Sequence, residues 1–317
     1  MIGKIILDLS AAALALTVLP VNWEAGSTVT AAPTIEGRVQ VAPGVALRHF
    51  VSGAGPSKPK VLLLHGFPET ALAWKAVSEH LAPTHEVHAF DWPGYGKSSR
   101  PAADRFEYSP RGYADVLRSY IRETGIGGPQ LTIYATDIGA LPALLAAIDD
   151  PNIAGRIIVG DFAPFDRPQF MAERLQRLKS PETAGRARAE YNAAKDEVLL
   201  NAFRRGFAAH EQFPLDADFA RDMREGWDGS DLTSADAFAL YYGRFTRDQN
   251  VLETSLARLK TPTEVVWGAR DIYIDRAMGE EFARRAGVPF RLLEGIGHYP
   301  HLQNPDLVAR EIARAGP

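Results

Sequence analysis

Three side chains in this sequence have the types and the spacing to do nucleophilic chemistry: Asp137 in "LTIYATDIGALPALLAA", Asp271 in "VVWGARDIYI" and His298 in "LLEGIGHYPHLQNP". Asp137 stands where an apolar, β-type run passes into an alanine-rich helix, with Ala135 and Gly139 two positions to either side. A strand-to-helix corner this tight crowds those two positions, so small residues relieve it, and the corner side chain stands exposed beside the first helical N–H groups. On the motif alone, a corner aspartate is most often a helix N-cap. Its company changes the reading. An acid and then a histidine follow, each beyond a later strand, in the chain order of a nucleophile–acid–histidine set.

The chemistry open to such a set has two steps. Asp137 attacks an electrophilic carbon and forms an ester. His298, oriented by Asp271, then draws a proton from the water that attacks the ester carbonyl. Asp161 in "IIVGDFAPF" also follows a strand and is the alternative orienting acid. In "HGFPET", Phe67 follows His65 and Gly66, and its backbone N–H forms a candidate oxyanion hole with that of Ile138. A serine esterase would need a serine at the corner; Ser98 and Ser99 lie in a different loop. The scheme requires no metal and no organic cofactor.

The elements that must hold these residues can be read from the apolar pattern. "RVQVA" and "ALRHFV" alternate as short strands around Pro43-Gly44, and "KVLLL" is a continuous apolar run ending at His65-Gly66, as in a strand buried on both faces. "ALAWKAVSEHLA" has helical spacing and "HEVHAF" reads as a strand. "SPRGYADVLRSYIRETG" reads as a helix with Ser109 as N-cap, Pro110 in the first turn and Gly125 as the stop. Strand 131–135, a helix from 138, strand "RIIVGDF", strand "TEVVWG", a helix near 275–286, strand "PFRLLEG" and a helix from Pro305 complete the series. This alternation predicts a mostly parallel sheet with helices on both faces. Between about 163 and 245 it breaks into a helical, charged, aromatic-rich segment, read as a cap inserted over one end of the sheet.

A chain of 317 residues with 46% apolar content is long enough for one large domain or a domain with an insertion. A net charge of −4, with both signs mixed along the chain, excludes the basic stripe of a nucleic-acid surface. The absence of cysteine excludes disulfides, thiolate nucleophiles and cysteine metal sites. At the start, "MIGKIILDLSAAALALTVLPV" places a lysine before an apolar run, with Val29 and Ala31 at cleavage-type spacing. Residues 1–31 therefore resemble a secretory signal peptide and imply a secreted or periplasmic protein, with a cytoplasmic one as the alternative. The run is too short for a stable membrane span.

Beyond these readings, "LLLHGFPET", "DWPGYGKSSRP", "ATDIGA", "WGARD" and "GIGHYPHLQNP" resemble the epoxide hydrolase and dehalogenase branch of the α/β-hydrolase superfamily, over essentially all of residues 36–317. The resemblance implies a mostly parallel eight-stranded sheet flanked by helices, with a helical cap (163–245) inserted after the sixth strand of a core formed by 32–162 and 246–317. One departure is Thr136, where that branch commonly has histidine before the nucleophile. Epoxide opening produces an alkoxide that needs a proton, which the branch supplies from one or two cap tyrosines. "ALYYGRF" resembles the tyrosine-bearing segment and Tyr242 is its best match, with Tyr191 and His210 as candidates for a second donor.

Haloalkane dehalogenases of this kind usually carry tryptophan after the nucleophile and asparagine or tryptophan after the His-Gly pair. Fluoroacetate-type enzymes carry a basic residue after the nucleophile. Ile138 and Phe67 match neither pattern. The expected activity is therefore epoxide hydrolysis to vicinal diols, with dehalogenation by the same Asp-His-Asp mechanism as the alternative. An inactive ligand-binding protein of this fold is less favoured, because a binder has no use for a base and its orienter. The expected partners are water and a small apolar electrophile, an epoxide or organohalide. His65, Glu69, Trp74, Tyr191 and Tyr241 are expected around the pocket, and Asp91, Tyr95 and His301 are expected to be structural.

Overall fold

The protein is described by a computed structural model over residues 34–229 and 231–314. The expected leader, 1–31, lies outside the described residues. Eight strands form one sheet: β1 (Ile35–Ala42), β2 (Val45–Ser52), β3 (Lys60–Leu64), β4 (Glu86–Phe90), β5 (Gly128–Thr136), β6 (Ala154–Gly160), β7 (Thr263–Gly268) and β8 (Phe290–Leu293). Their spatial order is β1-β2-β4-β3-β5-β6-β7-β8. The pairs β1–β2 and β2–β4 are antiparallel, and all pairs from β4 to β8 are parallel. The carboxyl ends of β3, β5, β6, β7 and β8 consequently open on a single edge, where ligands bind in open α/β sheets.

The continuous apolar runs are explained by helices on both faces. Leu62 and Leu64 of β3 enter one core with Leu117 and Leu144, while Val61 and Leu63 enter a second core with Val77, Leu81, Val308 and Ile312. Successive side chains of a strand point to opposite faces, so each face needs its own apolar set. The helices on the first face are α2 (Pro110–Thr124) and α3 (Ala140–Asp149); on the second they are α1 (Lys75–Leu81) and α12 (Pro305–Ala313). The boundaries of α2 follow its capping chemistry. The Ser109 hydroxyl accepts from the Gly112 N–H at 3.0 Å, and Gly125 ends the helix in the left-handed region at φ 67°. The single helix expected at "ALAWKAVSEHLA" is divided, with a 3₁₀ turn over Ala71–Trp74 preceding α1.

Between β6 and β7 the chain forms α4 (Glu173–Lys179), α5 (Pro181–Ala193), α6 (Lys195–Asn201), α7 (Ala217–Glu225), α8 (Ser234–Tyr242) and α9 (Phe245–Ser255). Helices α10 (Arg276–Ala286) and α11 (Pro300–Gln303) belong to the final third of the sheet. The helices over the sheet edge are tied to it by a buried charge cluster. Arg48 on β2 donates from Nε to Asp91 at 2.6 Å and from both terminal nitrogens to Asp222 of α7 at 2.7 and 2.6 Å. The Thr70 hydroxyl also donates to Asp222, at 2.7 Å. Arg100, from the Pro- and Gly-rich loop after β4, reaches the carbonyls of Gly94 at 2.7 Å and Leu232 at 3.0 Å, tying that loop to the segment before α8.

Candidate active site

Asp137 follows directly on β5 and opens a 3₁₀ turn, Asp137–Gly139, that leads into α3. Its φ of +49° lies in the left-handed region, which costs a non-glycine residue about 1–2 kcal/mol. The neighbouring glycines show why the corner can close. A Cβ at Gly66 would sit 2.7 Å from the Cβ of Asp137, and one at Gly139 would meet the Cβ of Leu64 at 3.0 Å. Small residues at these places are a steric requirement of the corner. The crowding brings the Phe67 N–H to 2.8 Å from Asp137 Oδ2, so one carboxylate oxygen already rests against a backbone donor. Ile138 follows within the same turn.

His298 lies in the loop between β8 and α11. This loop is fixed by Gln303, whose amide accepts from the Gly297 N–H at 2.8 Å and donates to the Gly295 carbonyl at 2.9 Å. The His298 Nδ1–H donates to Asp271 Oδ2 at 2.8 Å, which leaves Nε2 toward Asp137, 3.9 Å from Oδ2. That gap is beyond a direct hydrogen bond. Asp271 is held in turn: its Oδ1 accepts from the N–H groups of Tyr273 at 2.7 Å and Ile274 at 3.2 Å. Burial works against the imidazolium, but the charges of Asp271 and Asp137 outweigh it and hold the His298 pKa well above its ordinary value.

Asp161, at the end of β6, is the second non-glycine residue in the left-handed region among the described residues, with φ +52°. It is fully buried; its Oδ1 accepts from the Gly268 N–H at 2.8 Å, and its Oδ2 has no partner. One oxygen each of Asp161 and Asp271 and a ring nitrogen of His298 lie within 4.8 Å of one another. Burial, and after it the Asp271 charge, pushes the Asp161 pKa well above the carboxylate range. The two acids left open by the sequence therefore share one histidine on unequal terms. Asp271 makes the hydrogen bond, and Asp161 stands beside it, tied to the Gly268 N–H.

The cavity over Asp137 is lined by Phe67, Tyr191, Phe238, Tyr273, His298 and Tyr299, with Arg174, Leu175, Val198, Ala202, Arg205 and Ile274 completing the wall. The Tyr299 hydroxyl donates to the Phe67 carbonyl at 2.9 Å, which ties the oxyanion loop to the histidine loop. Phe67 stacks on Phe238 of α8 at 3.9 Å and meets Tyr191 of α5 edge-on at 5.8 Å. The hydroxyls of Tyr191 and Tyr242 have no hydrogen-bond partner among the described residues. Burial raises the pKa of both, Tyr191 to about 12, and the negative charge of Asp137 adds to each shift. Tyr242 sits one layer behind the wall, against Phe238 at 4.9 Å and Phe245 at 4.7 Å.

Several residues expected at the pocket lie elsewhere. His65 is fully buried, donates from Nδ1 to the Gly66 carbonyl at 2.8 Å and accepts at Nε2 from the Trp92 N–H at 3.1 Å. Glu69 accepts from the Gly66 N–H at 2.7 Å and pairs with His301 at 2.6 Å, while Trp74 stacks on that same His301 at 4.1 Å. Tyr241 spends its hydroxyl on the Ile138 carbonyl at 2.9 Å. These four brace the loops from behind, because the segment after β3 turns inward and presents Phe67 to the cavity. His210 is exposed on a short turn and is not part of the wall. Arg174, Phe238, Tyr273 and Tyr299 were not singled out from sequence. Only Tyr299, adjacent to His298, carried a positional hint.

The sequence matches the model of the Alpha/beta hydrolase family over residues 61–311, and the chain belongs to that family. It is 25% identical over 291 residues to mouse "Epoxide hydrolase 4", covering 82% of this chain and 73% of that protein. Among solved structures, haloalkane dehalogenase DbeA from Bradyrhizobium elkani USDA94 matches with a TM-score of 0.71 at 22% identity, covering 89% of this chain and 97% of that one. Epoxide hydrolase VrEH1 from Vigna radiata matches with a TM-score of 0.70 at 18% identity, covering 88% and 96%. Together they mark the protein as a hydrolase of this superfamily, with relatives in its epoxide hydrolase and dehalogenase branch, acting with water on a small molecule. No helix among the described residues is long and apolar enough to cross a membrane.

Proposed function

We propose that the protein hydrolyses epoxides to vicinal diols through a covalent ester on Asp137. The observation that carries this reading is a carboxylate, in place of a hydroxyl, at a left-handed strand-to-helix corner, with one oxygen 2.8 Å from the Phe67 N–H. In the first step a carboxylate oxygen of Asp137 attacks an epoxide carbon, the C–O bond breaks, and the alkoxide takes a proton from a cap tyrosine, Tyr242 or Tyr191. In the second, His298 Nε2 takes a proton from water, and the hydroxide attacks the carbonyl carbon of the Asp137 ester. The oxyanion so formed is stabilised by the Phe67 and Ile138 N–H groups. Collapse of this intermediate releases the diol and regenerates the carboxylate, and the proton that His298 took from water returns to the tyrosinate.

The electrostatics support this order of events. While Asp137 is charged, it adds to the rise in the His298 pKa. Esterification removes that charge, so the His298 pKa falls and the imidazole becomes a base when one is needed. A halide leaving group is less favoured, because the positions after the nucleophile and after His65-Gly66 hold Ile138 and Phe67, neither of which has a side-chain N–H to take up the departing halide. The test is one turnover of styrene oxide in heavy-oxygen water, followed by mass analysis of the peptide containing residue 137. The reading expects the label in Asp137 and none in that first diol. Label in the diol with an unlabelled peptide overturns it.

A further inference from the structure

Arg174 on α4 is the unmatched charge of the cavity. It belongs to the wall around Asp137 and also to an outer groove formed by Arg177, Ala187, Glu190, Tyr191, Ala194, Glu197 and Val198. The acids of that groove are already taken: Glu190 pairs with Arg177 and Arg186, and Glu197 with Arg205. Among the described residues no carboxylate pairs with Arg174. Its guanidinium instead lies 4.7 Å over the ring of Tyr273, another wall residue. The guanidinium is also drawn to the hydroxyl of Tyr273, which occupies one of its five N–H donors and leaves the rest of the fork for a ligand. A half-buried cation beside apolar walls gains most from an anion that reaches it out of water.

We propose that Arg174 is a specificity-determining residue that binds a carboxylate carried by the substrate, so that the preferred substrates are epoxides of organic acids. The inference rests on the epoxide hydrolase reading for the reacting group, but not for the anion subsite. Arg174, Tyr191 and Val198 line both spaces, so the subsite stands where the inner cavity meets the outer groove. An acid group held there points the rest of the molecule inward, past Tyr191 toward Asp137. A planar bidentate grip also fixes its orientation. This refines the expectation of a wholly apolar substrate: the body of the ligand meets Phe67, Phe238, Leu175 and Val198, and one end is anionic.

The experiment compares 3-phenylglycidate with styrene oxide on the full chain, in the wild type and in Arg174→Met and Arg174→Lys. The wild type should favour the acid in kcat/KM. In Arg174→Met that preference should fall about 10- to 100-fold, the loss expected for one charge-assisted grip, mainly through KM. Arg174→Lys, which keeps the charge without the fork, should retain part of it. Equal losses on both substrates in Arg174→Met, or no preference in the wild type, overturn the proposal.

Calorimetry with phenylacetate and phenylacetamide separates the two readings. Tighter binding of the acid that disappears in Arg174→Met supports the anion subsite even if neither epoxide is turned over, in which case the epoxide reading alone falls. Equal binding of acid and amide to the wild type removes the subsite while leaving the epoxide reading intact.

Discussion

At the sheet edge the acids of the site are held by backbone: Asp137 by the Phe67 N–H, Asp271 by the N–H groups of Tyr273 and Ile274, and Asp161 by that of Gly268. In the helices above it, Tyr191 and Tyr242 present hydroxyls without partners, and Arg174 presents a cation without a carboxylate. The first arrangement is rigid because each donor belongs to a strand end or to the turn that follows one. The second is held by ring packing, as in the Phe67–Phe238 stack. On the proposed reaction, the edge stabilises charge that develops on its own atoms, and the helices above it meet groups brought by a ligand. Substitutions in the two regions should fail differently. Edge variants should lose turnover whatever the substrate, and cap variants should lose it selectively.

The largest effect belongs to Asp137. Asp137→Ala removes the proposed nucleophile, and kcat for styrene oxide should drop by about 10⁴-fold or more with the fold retained by circular dichroism. Residual diol formation near the wild-type rate would remove the edge from the chemistry altogether.

Next comes a contrast within the edge. Asp271→Asn leaves the shape but takes away the charge that orients His298, and should cost about 10³- to 10⁴-fold in kcat. It also has a pH signature. The Asp271 charge raises the His298 pKa, so its removal lowers that pKa, and the rising limb of the rate profile should move to lower pH. Asp161→Asn leaves the Asp271–His298 hydrogen bond untouched, and should cost no more than about 10-fold and leave the profile in place. Reversed magnitudes in the two variants would make Asp161 the orienting acid.

The junction between the regions can be broken without touching either set of reacting groups. Arg48→Met strands Asp91 and Asp222 in the interior, a defect worth about 3–5 kcal/mol of stability, read as a lowered denaturant midpoint. The pH dependence follows from Asp222. Burial raises its pKa, but hydrogen bonds to Arg48 and Thr70 and the Arg48 charge outweigh this and hold it below its ordinary value. Its stabilising share in the wild type is therefore present above the unfolded pKa of about 3.9 and is lost as pH falls through the lower folded value. In the variant the stranded acids relax by taking up protons, so the stability gap should narrow as the pH is lowered. A gap that stays constant from pH 7 to pH 4 would show that the cluster is not a charge anchor.

How far the sequence could be read divides along the same line. The strand β3 announced itself as a continuous apolar run, since both faces of the sheet are covered there, β1 and β2 showed as alternation, and Ser109 and Gly125 marked the ends of α2. Asp137 was visible because a left-handed corner demands small neighbours, and steric demand leaves a signature in residue type. The cap left no such trace. Whether Arg174 or Arg177 of α4 turns into the cavity depends on how a seven-residue helix is rotated against its neighbours, which spacing does not fix. His65, Glu69, Trp74 and Tyr241 were misplaced for a related reason: proximity in sequence to a reactive loop says nothing about which of its two sides a side chain takes.

Smaller effects than at Asp137 and Asp271 should come from the tyrosines, and they sharpen the comparison most. If the cap only covers the edge, Tyr191→Phe and Tyr242→Phe should be nearly silent, since phenylalanine fills the same space and neither hydroxyl leaves a broken bond behind. If the cap supplies the proton for the opening epoxide, each should lower the rate of ester formation, measured in a single turnover, by about 10- to 100-fold, the scale of one oxyanion donor. Hydrolysis of the ester should be unaffected, because that step uses His298 and the Phe67 and Ile138 N–H groups. The position of Tyr242 behind Phe238 makes the order informative. Tyr191 lines the cavity directly, so a larger loss in Tyr191→Phe would make it the principal donor. A larger loss in Tyr242→Phe would mean that the Tyr242 hydroxyl reaches the substrate past the ring of Phe238. Equal and large losses in both steps would assign the tyrosines to packing and return the whole reaction to the sheet edge.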